Sequence, residues 1–183
     1  MNLDAIIIQL REHTLPTFNR RVHGAAEFAP ISDLDKTDLP VPCAFVIPLA
    51  DRAQPQAEQN IEIQDLEERF GVIVAISNVQ DRTGLKAVLD VYAVRDTIWR
   101  AILNWTPDAQ TYKPIRYYGA RLLSMNRAVL FWMFEFYAKT TIVDADGYQP
   151  ELMDLKTIHI DHDLGPAPDS QLEKQDRLTN LDQ

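Results

Sequence analysis

The sequence predicts an α+β fold: an antiparallel four- to five-stranded sheet with a long helix packed on one face and a short N-terminal helix. Three observations carry this. Several segments place apolar residues at alternate positions, as a strand with one buried face does. One segment of about 20 residues repeats its apolar positions at the helical period. Two adjacent strand segments are separated only by Asn126 and Arg127, the spacing of a hairpin, whose strands run antiparallel.

In chain order, Leu3, Ile6, Ile7 and Leu10 form the apolar stripe of the first helix, which should stop before Pro16. Arg21–His23 is a short extended piece, and Ala25–Ile31 a brief helical turn interrupted by Pro30. Ser32–Pro42, polar and bracketed by prolines, reads as a surface connection. Val41–Leu49 is a strand with Val41, Cys43, Phe45 and Ile47 on one face. Ala50–Asn60 reads as an exposed loop. A long strand covers Ile61–Ser77, with Phe70, Val72, Val74 and Ile76 on one side and Glu67, Arg69 and Gly71 on the other. Its half-apolar front, Ile61–Leu66, should project past the core. After a turn at Asn78–Thr83, the helix Gly84–Asn104 presents Leu85, Val88, Leu89, Tyr92, Trp99, Ile102 and Leu103. About 20 residues give it about 30 Å, enough to cross a four-stranded sheet. Trp105–Pro114 is a loop, with Trp105 plugging the end of the helix–sheet core. The hairpin strands are Ile115–Met125 and Ala128–Thr140, and a further short strand runs from Leu155 to Asp161. Residues 1–164 are expected as one domain and 165–183 as a flexible tail, since Pro, Asp, Gln, Lys and Glu dominate there with scattered leucines.

Val129–Ala138 departs from the alternating pattern. Leu130, Trp132, Phe134 and Phe136 lie on one side; Val129, Phe131, Met133 and Tyr137 lie on the other, interrupted by Glu135. The long helix covers one face only, so the second face needs its own cover. Either the first helix provides it or a neighbouring subunit does, and aromatics and methionine are residues that interfaces favour. Glu67, Arg69, Phe131, Met133 and Tyr137 are therefore the candidate interface residues.

The 183 residues carry a formal charge of −9, which opposes general binding to nucleic acid or an anionic membrane. No apolar run approaches the roughly 20 residues that span a bilayer, and Met1–Leu10 lacks the basic start of a signal peptide. A single cysteine, Cys43, makes no internal disulfide and reads as a packed thiol among Val41, Ala44 and Phe45.

No catalytic or cofactor-binding constellation emerges. The six glycines form no phosphate-binding loop, and no serine sits in a nucleophile elbow. In His159-Ile160-Asp161-His162-Asp163 the two histidines fall on opposite faces of a strand, which argues against one metal site. Asp144-Ala145-Asp146-Gly147 starts like a calcium loop, but Gln149 stands where that loop needs glycine, so a turn is expected. Arg20, Arg21 and His23 read as solvated charges on a connector. Arg95, Arg100, Arg116 and Arg121 could pair within the subunit or across a ring.

Taken in order, the segments resemble the phage tail terminator family. The resemblance is carried by Leu15-Pro16, Val22-His23-Gly24-Ala25-Ala26-Glu27 and Pro42-Cys43-Ala44-Phe45-Val46-Ile47-Pro48. It continues through Glu68-Arg69-Phe70-Gly71-Val72-Ile73-Val74, the turn Asn78–Gly84 and Leu103-Asn104-Trp105-Thr106-Pro107. Tyr118-Gly119-Ala120-Arg121-Leu122 and Leu130-Phe131-Trp132-Met133-Phe134 complete it, spanning about Met1 to Thr140. What the resemblance implies is a non-enzymatic virion protein without a cofactor, built as a ring, usually a hexamer. Such a ring would sit at the neck end of the tail, stop tail tube polymerisation and offer a surface to the head–tail connector or a neck protein. In a contractile tail the sheath protein would be a further partner, and DNA would pass through without specific binding. Assembly in the host cytoplasm is implied. The residues themselves also admit another ring-forming neck or head-completion protein, or a small α+β hydrolase or ligand-binding domain, which would need a pocket with converging polar groups.

Overall fold

The computed structural model describes residues 1–28, 39–55, 63–78, 85–149, 157–162 and 174–179. Its contacts divide the chain into two compact units, Met1–Asp146 and Gly147–Gln183. The first unit holds helices α1 (Leu3–His13), α2 (Leu15–Phe18), α3 (Ala25–Phe28) and α4 (Leu85–Ile102). Its strands are β1 (Val22–Gly24), β2 (Cys43–Pro48), β3 (Arg52–Ala53), β4 (Gln64–Ser77), β5 (Arg116–Met125) and β6 (Val129–Ile142).

The fold is α+β, but the sheet is mixed and six-stranded, not an antiparallel one of four to five strands. Its order is β1-β2-β4-β6-β5, with β3 beside β4. The β1–β2 pair is parallel, because the chain crosses over between them through α3. The remaining pairs are antiparallel. At three residues β1 is too short to show alternation in sequence. The anticipated hairpin is β5–β6, and β4 pairs with β6 along all 14 of its residues. The front of β4 runs beside β3 and the end of β6, with Asp65 exposed. The anticipated Ile61 and Glu62 lie outside the described residues.

Helix α1 starts where the Asn2 side chain accepts a hydrogen bond from the Asp4 amide at 3.0 Å. It buries Ile6, Ile7 and Leu10. Thr14 closes it by returning its hydroxyl to the Leu10 carbonyl at 2.6 Å. The first helix stops at His13, before Pro16 as expected; Pro16 itself sits in the first turn of α2, where a missing N–H costs nothing.

Helix α4 is rotated from its anticipated position. Val91, Val94, Ile98, Ala101 and Ile102 are buried, whereas Leu89 is 62 % and Tyr92 48 % exposed. Both arcs have helical spacing and differ by one residue, about 100° around the axis. Packing selects the first. The side chains of Leu85 and Val88 lie outside the described residues. Asn104, in the left-handed conformation at φ 63°, turns the chain after α4. Trp105 packs against the core as anticipated, and its carbonyl receives the Ile115 amide at 2.9 Å.

One core cluster joins α1, α4 and one sheet face, which includes Val72, Val74, Leu130, Phe134 and Phe136. Full burial of each large apolar side chain contributes about 1.5–3 kcal/mol. The first helix thus packs on the same face as α4, and does not cover the second one. A separate cluster on the second face contains Cys43, Phe45, Ile73, Ala75, Phe131 and Met133. Phe28 of α3 with Leu39 and Val41 of the following connection pack against it. The chain's own β1–β2 connection therefore covers this part of the sheet, so the first helix is not needed there and neither is a neighbour. Residues 29–31 of the anticipated helical turn and 32–38 of the surface connection lie outside the described residues, as do 56–60 of the loop and 79–83 of the turn before α4. Asp144–Asp146 is the anticipated turn, closed by the Val143 amide on the Asp146 carboxylate at 2.9 Å.

The second unit contains β7 (Thr157–His162) and β8 (Lys174–Thr179), paired antiparallel with Ile158 opposite Leu178. The short strand anticipated at 155–161 thus pairs with β8 in a sheet of its own. The contacts divide the chain at 146/147, whereas composition places a change at 164/165; β8 lies within the stretch expected as a tail. A six-residue strand with one leucine does not stand out against the charged residues around it.

Candidate interaction surface

The second face of the sheet has a covered half and an open half, and the β4–β6 register determines which residue falls in which. Ala75 lies opposite Phe131 and Ile73 opposite Met133; further along, Gly71 faces Glu135, Arg69 faces Tyr137 and Glu67 faces Lys139. Apolar side chains fill the first part, under Phe28, Leu39 and Val41. Charged and aromatic side chains fill the second.

Gly71 marks the border. A Cβ there would meet the Met133 sulfur at 3.0 Å and Ile47 Cγ1 at 3.3 Å, so glycine is what lets Met133 lie across the strand. Gly119 of β5 is in register with Glu135 from the other side and has open space above it. Glu135 therefore has a glycine as cross-strand neighbour on both sides. Arg121 reaches its carboxylate from Nε at 3.1 Å.

Arg69 is the most constrained charge of the open half. Its Nε and Nη2 both donate to Glu67 Oε1, at 2.9 and 2.7 Å. Its guanidinium carbon sits 3.9 Å from the centre of the Tyr118 ring, a cation–π stack. Tyr118 in turn meets Tyr137 edge to face with centroids 6.5 Å apart. The Glu67 hydrogen bond raises the Arg69 pKa further above its already high value, so the cation is permanent. The arrangement holds a charged, partly apolar surface in one orientation.

Of the candidate interface residues, the structure brings Glu67, Arg69 and Tyr137 together on the open half. Phe131 and Met133 share the face but are only 3 % and 2 % exposed, buried by the chain itself. Residue reading did not place Tyr118, which is 52 % exposed, or Glu135 among the interface residues; Arg121, one of the arginines expected to pair, pairs with Glu135 of the same chain. The β5–β6 register slips between Tyr117 and Gly119, so Tyr118 stands at a bulge and joins the second face beside Arg69. The Tyr117-Tyr118 pair, breaking the alternation of its strand, was the available signal.

On the helix face, a cleft of about 640 Å³ lies among Leu66, Glu68, Tyr112, Lys113, Thr140 and Ile142. Tyr112 donates its hydroxyl to Glu68 at 2.9 Å, and the Met1 amine pairs with the same carboxylate. Burial and this carboxylate push the Tyr112 phenol up to about 12. The lining contains no histidine, cysteine or serine. Among the described residues no three His, Cys, Asp or Glu side chains cluster as a metal site would require, and no helix is long and apolar enough to cross a membrane. Cys43 is packed at 1 % exposure, with its thiol pushed up to about 11 by burial against a smaller opposing effect of Arg21. Arg21 is not merely solvated: its Nε donates to the Pro42 carbonyl at 3.0 Å.

No curated protein matches the chain. The profile of the phage tail terminator protein family matches residues 1–145, which cover the helix–sheet unit almost in full. With the match running through that whole unit, the chain belongs to the phage tail terminator protein family and is a structural protein of a phage tail.

Proposed function

We propose that the chain closes the tail tube as a homo-oligomeric ring, a hexamer, seated on the last ring of tail tube protein. In this role it ends tube polymerisation at the neck end and offers its far surface to the head–tail connector or a neck protein. In a contractile tail that neck-end ring also receives the sheath. The observation that carries the reading is the open half of the second sheet face in a chain of this family. There Glu67, Arg69, Tyr118 and Tyr137 are locked to one another before any partner arrives. Aromatics and arginine, held rigid, are what interface hot spots consist of, because little entropy is lost when they bind. The charge of −9 suits a collar through which DNA passes, since strong phosphate affinity would retard transit.

The test is tube growth. Purified tail tube protein polymerises with and without the chain, and tube lengths are measured by negative-stain microscopy. Shorter tubes carrying a ring at one end are the expected outcome, and an Arg69→Ala, Tyr118→Ala double variant should need at least tenfold more protein for the same shortening. Tubes of unchanged length and bare ends at saturating protein rule out termination and leave a head-side joining role.

A further inference from the structure

Strand β5 ends the sheet order, so among the described residues only one of its edges has a strand neighbour, β6. It is ten residues long and displays exposed apolar side chains: Leu122 at 47 %, Leu123 at 38 % and Met125 at 53 %. A long edge of this kind is a template for another strand unless something blunts it. The two register slips, at Tyr117/Gly119 and Leu122/Ser124, blunt its regularity but leave Gly119–Leu122 unbroken between them.

The same chain holds a complementary problem. Among the described residues, strands β7 and β8 form a two-stranded sheet. A lone hairpin is marginal in water, and a third strand is the usual remedy. Its two edges differ in composition. Strand β8 carries Lys174, Asp176 and Arg177, the charges that protect edges, whereas β7 reads Thr157-Ile158-His159-Ile160-Asp161-His162, with no lysine, arginine or proline. Within β5, Ala120 and Leu122 belong to the row of Phe134 and Trp132, and Gly119 and Arg121 to the row of Glu135 and Met133. The alternate isoleucines 158 and 160 match the spacing of the first row, and His159 and Asp161 that of the second.

We infer that β7 of one copy adds to the open edge of β5 in the next copy, giving the β7–β8 hairpin its third strand. This rests on the homo-oligomer proposed above and specifies how its subunits join. Because the donated strand and the receiving edge are different surfaces, the contact is head-to-tail, and a closed set of such contacts is a ring.

The experiment uses full-length chains with one added cysteine each, Leu122→Cys in one and Ile160→Cys in the other. A short bismaleimide cross-linker is applied with and without tube protein; Cys43 stays silent because it is buried. The mixture should give a cross-linked pair, at least tenfold above either variant alone, and a chain with both substitutions should give a ladder of multiples. Cross-links confined to single chains of the double variant overturn the inference. A ring seen by mass photometry without any cross-link overturns it too, while leaving the ring itself standing. Monomers under both conditions remove the ring and the strand addition together.

Discussion

Phe131 and Arg69 occupy the same face of the same sheet, yet one is core and the other surface. What separates them is cover, not residue type: Phe28, Leu39 and Val41 pack against the cluster that holds Phe131, whereas Arg69 belongs to neither core cluster. Truncating Phe131 should therefore act through stability. Phe131→Ala is expected to cost about 3–5 kcal/mol, as for other buried phenylalanines, read as a lowered midpoint in urea unfolding of the isolated chain. A midpoint within experimental error of the parent, with only assembly impaired, would return Phe131 to the interface. Arg69 should behave in the opposite way. Its ion pair is part-buried, with the two side chains 19 % and 16 % exposed, but stands outside both core clusters, so its loss should cost less stability than that of Phe131 while weakening assembly.

At the scale of elements, the sequence announces strands and helices more reliably than their orientation. The hairpin β5–β6 was legible because only Asn126 and Arg127 separate two apolar runs, and the Asn126 side chain accepts the amides of Ala128 and Val129 at 2.8 Å each. The rotation of α4 was not legible, since Val91, Val94 and Ile98, three and four apart, and Leu89, Tyr92 and Trp99, three and seven apart, both fit the helical period. Arg95 helps to explain why the second arc tolerates water: its guanidinium lies 4.4 Å from the Trp99 ring centre and 5.1 Å from that of Tyr92. The end of α4 was legible in part, through Asn104. This asparagine takes a left-handed conformation and accepts a hydrogen bond from Arg116 at 3.1 Å. Asn104→Ala combines a strained backbone with loss of that bond and should lower stability by about 1–2 kcal/mol. Asn104→Gly keeps the conformation and should cost less. Thermal unfolding of the pair distinguishes them; equal losses would mean that the left-handed turn is not what the asparagine serves.

For the whole molecule, the buried protonated groups give stability a direction in pH. Burial raises the Cys43 thiol from 9.0 to about 11, and burial with the Glu68 bond raises the Tyr112 phenol from 10.0 to about 12. Both groups are neutral when protonated, so the folded chain holds these protons more tightly than the unfolded one. Their contribution is complete below the unfolded values and is lost as pH rises through the folded ones. Melting temperature should hold up to pH 9 and then fall, first through Cys43 and from pH 10 through Tyr112 as well. In Cys43→Ala the fall should begin about one unit later. A melting temperature of the parent that stays flat up to pH 11 contradicts this account.

By itself the sequence determined the α+β class, the hairpin, the two-sided apolar character of β6 and the absence of a recognisable catalytic motif. All of these follow from residue type and spacing along one strand or helix, which are local properties. Only tertiary structure decided which face each element buries, that β1 runs parallel to β2, and that Tyr118 leaves its row at a bulge to stack on Arg69. It also decided that α1 shares a face with α4, leaving the β1–β2 connection to cover Phe131 and Met133. Those outcomes depend on contacts between residues far apart in sequence, and periodicity within a segment carries no information about its distant neighbours.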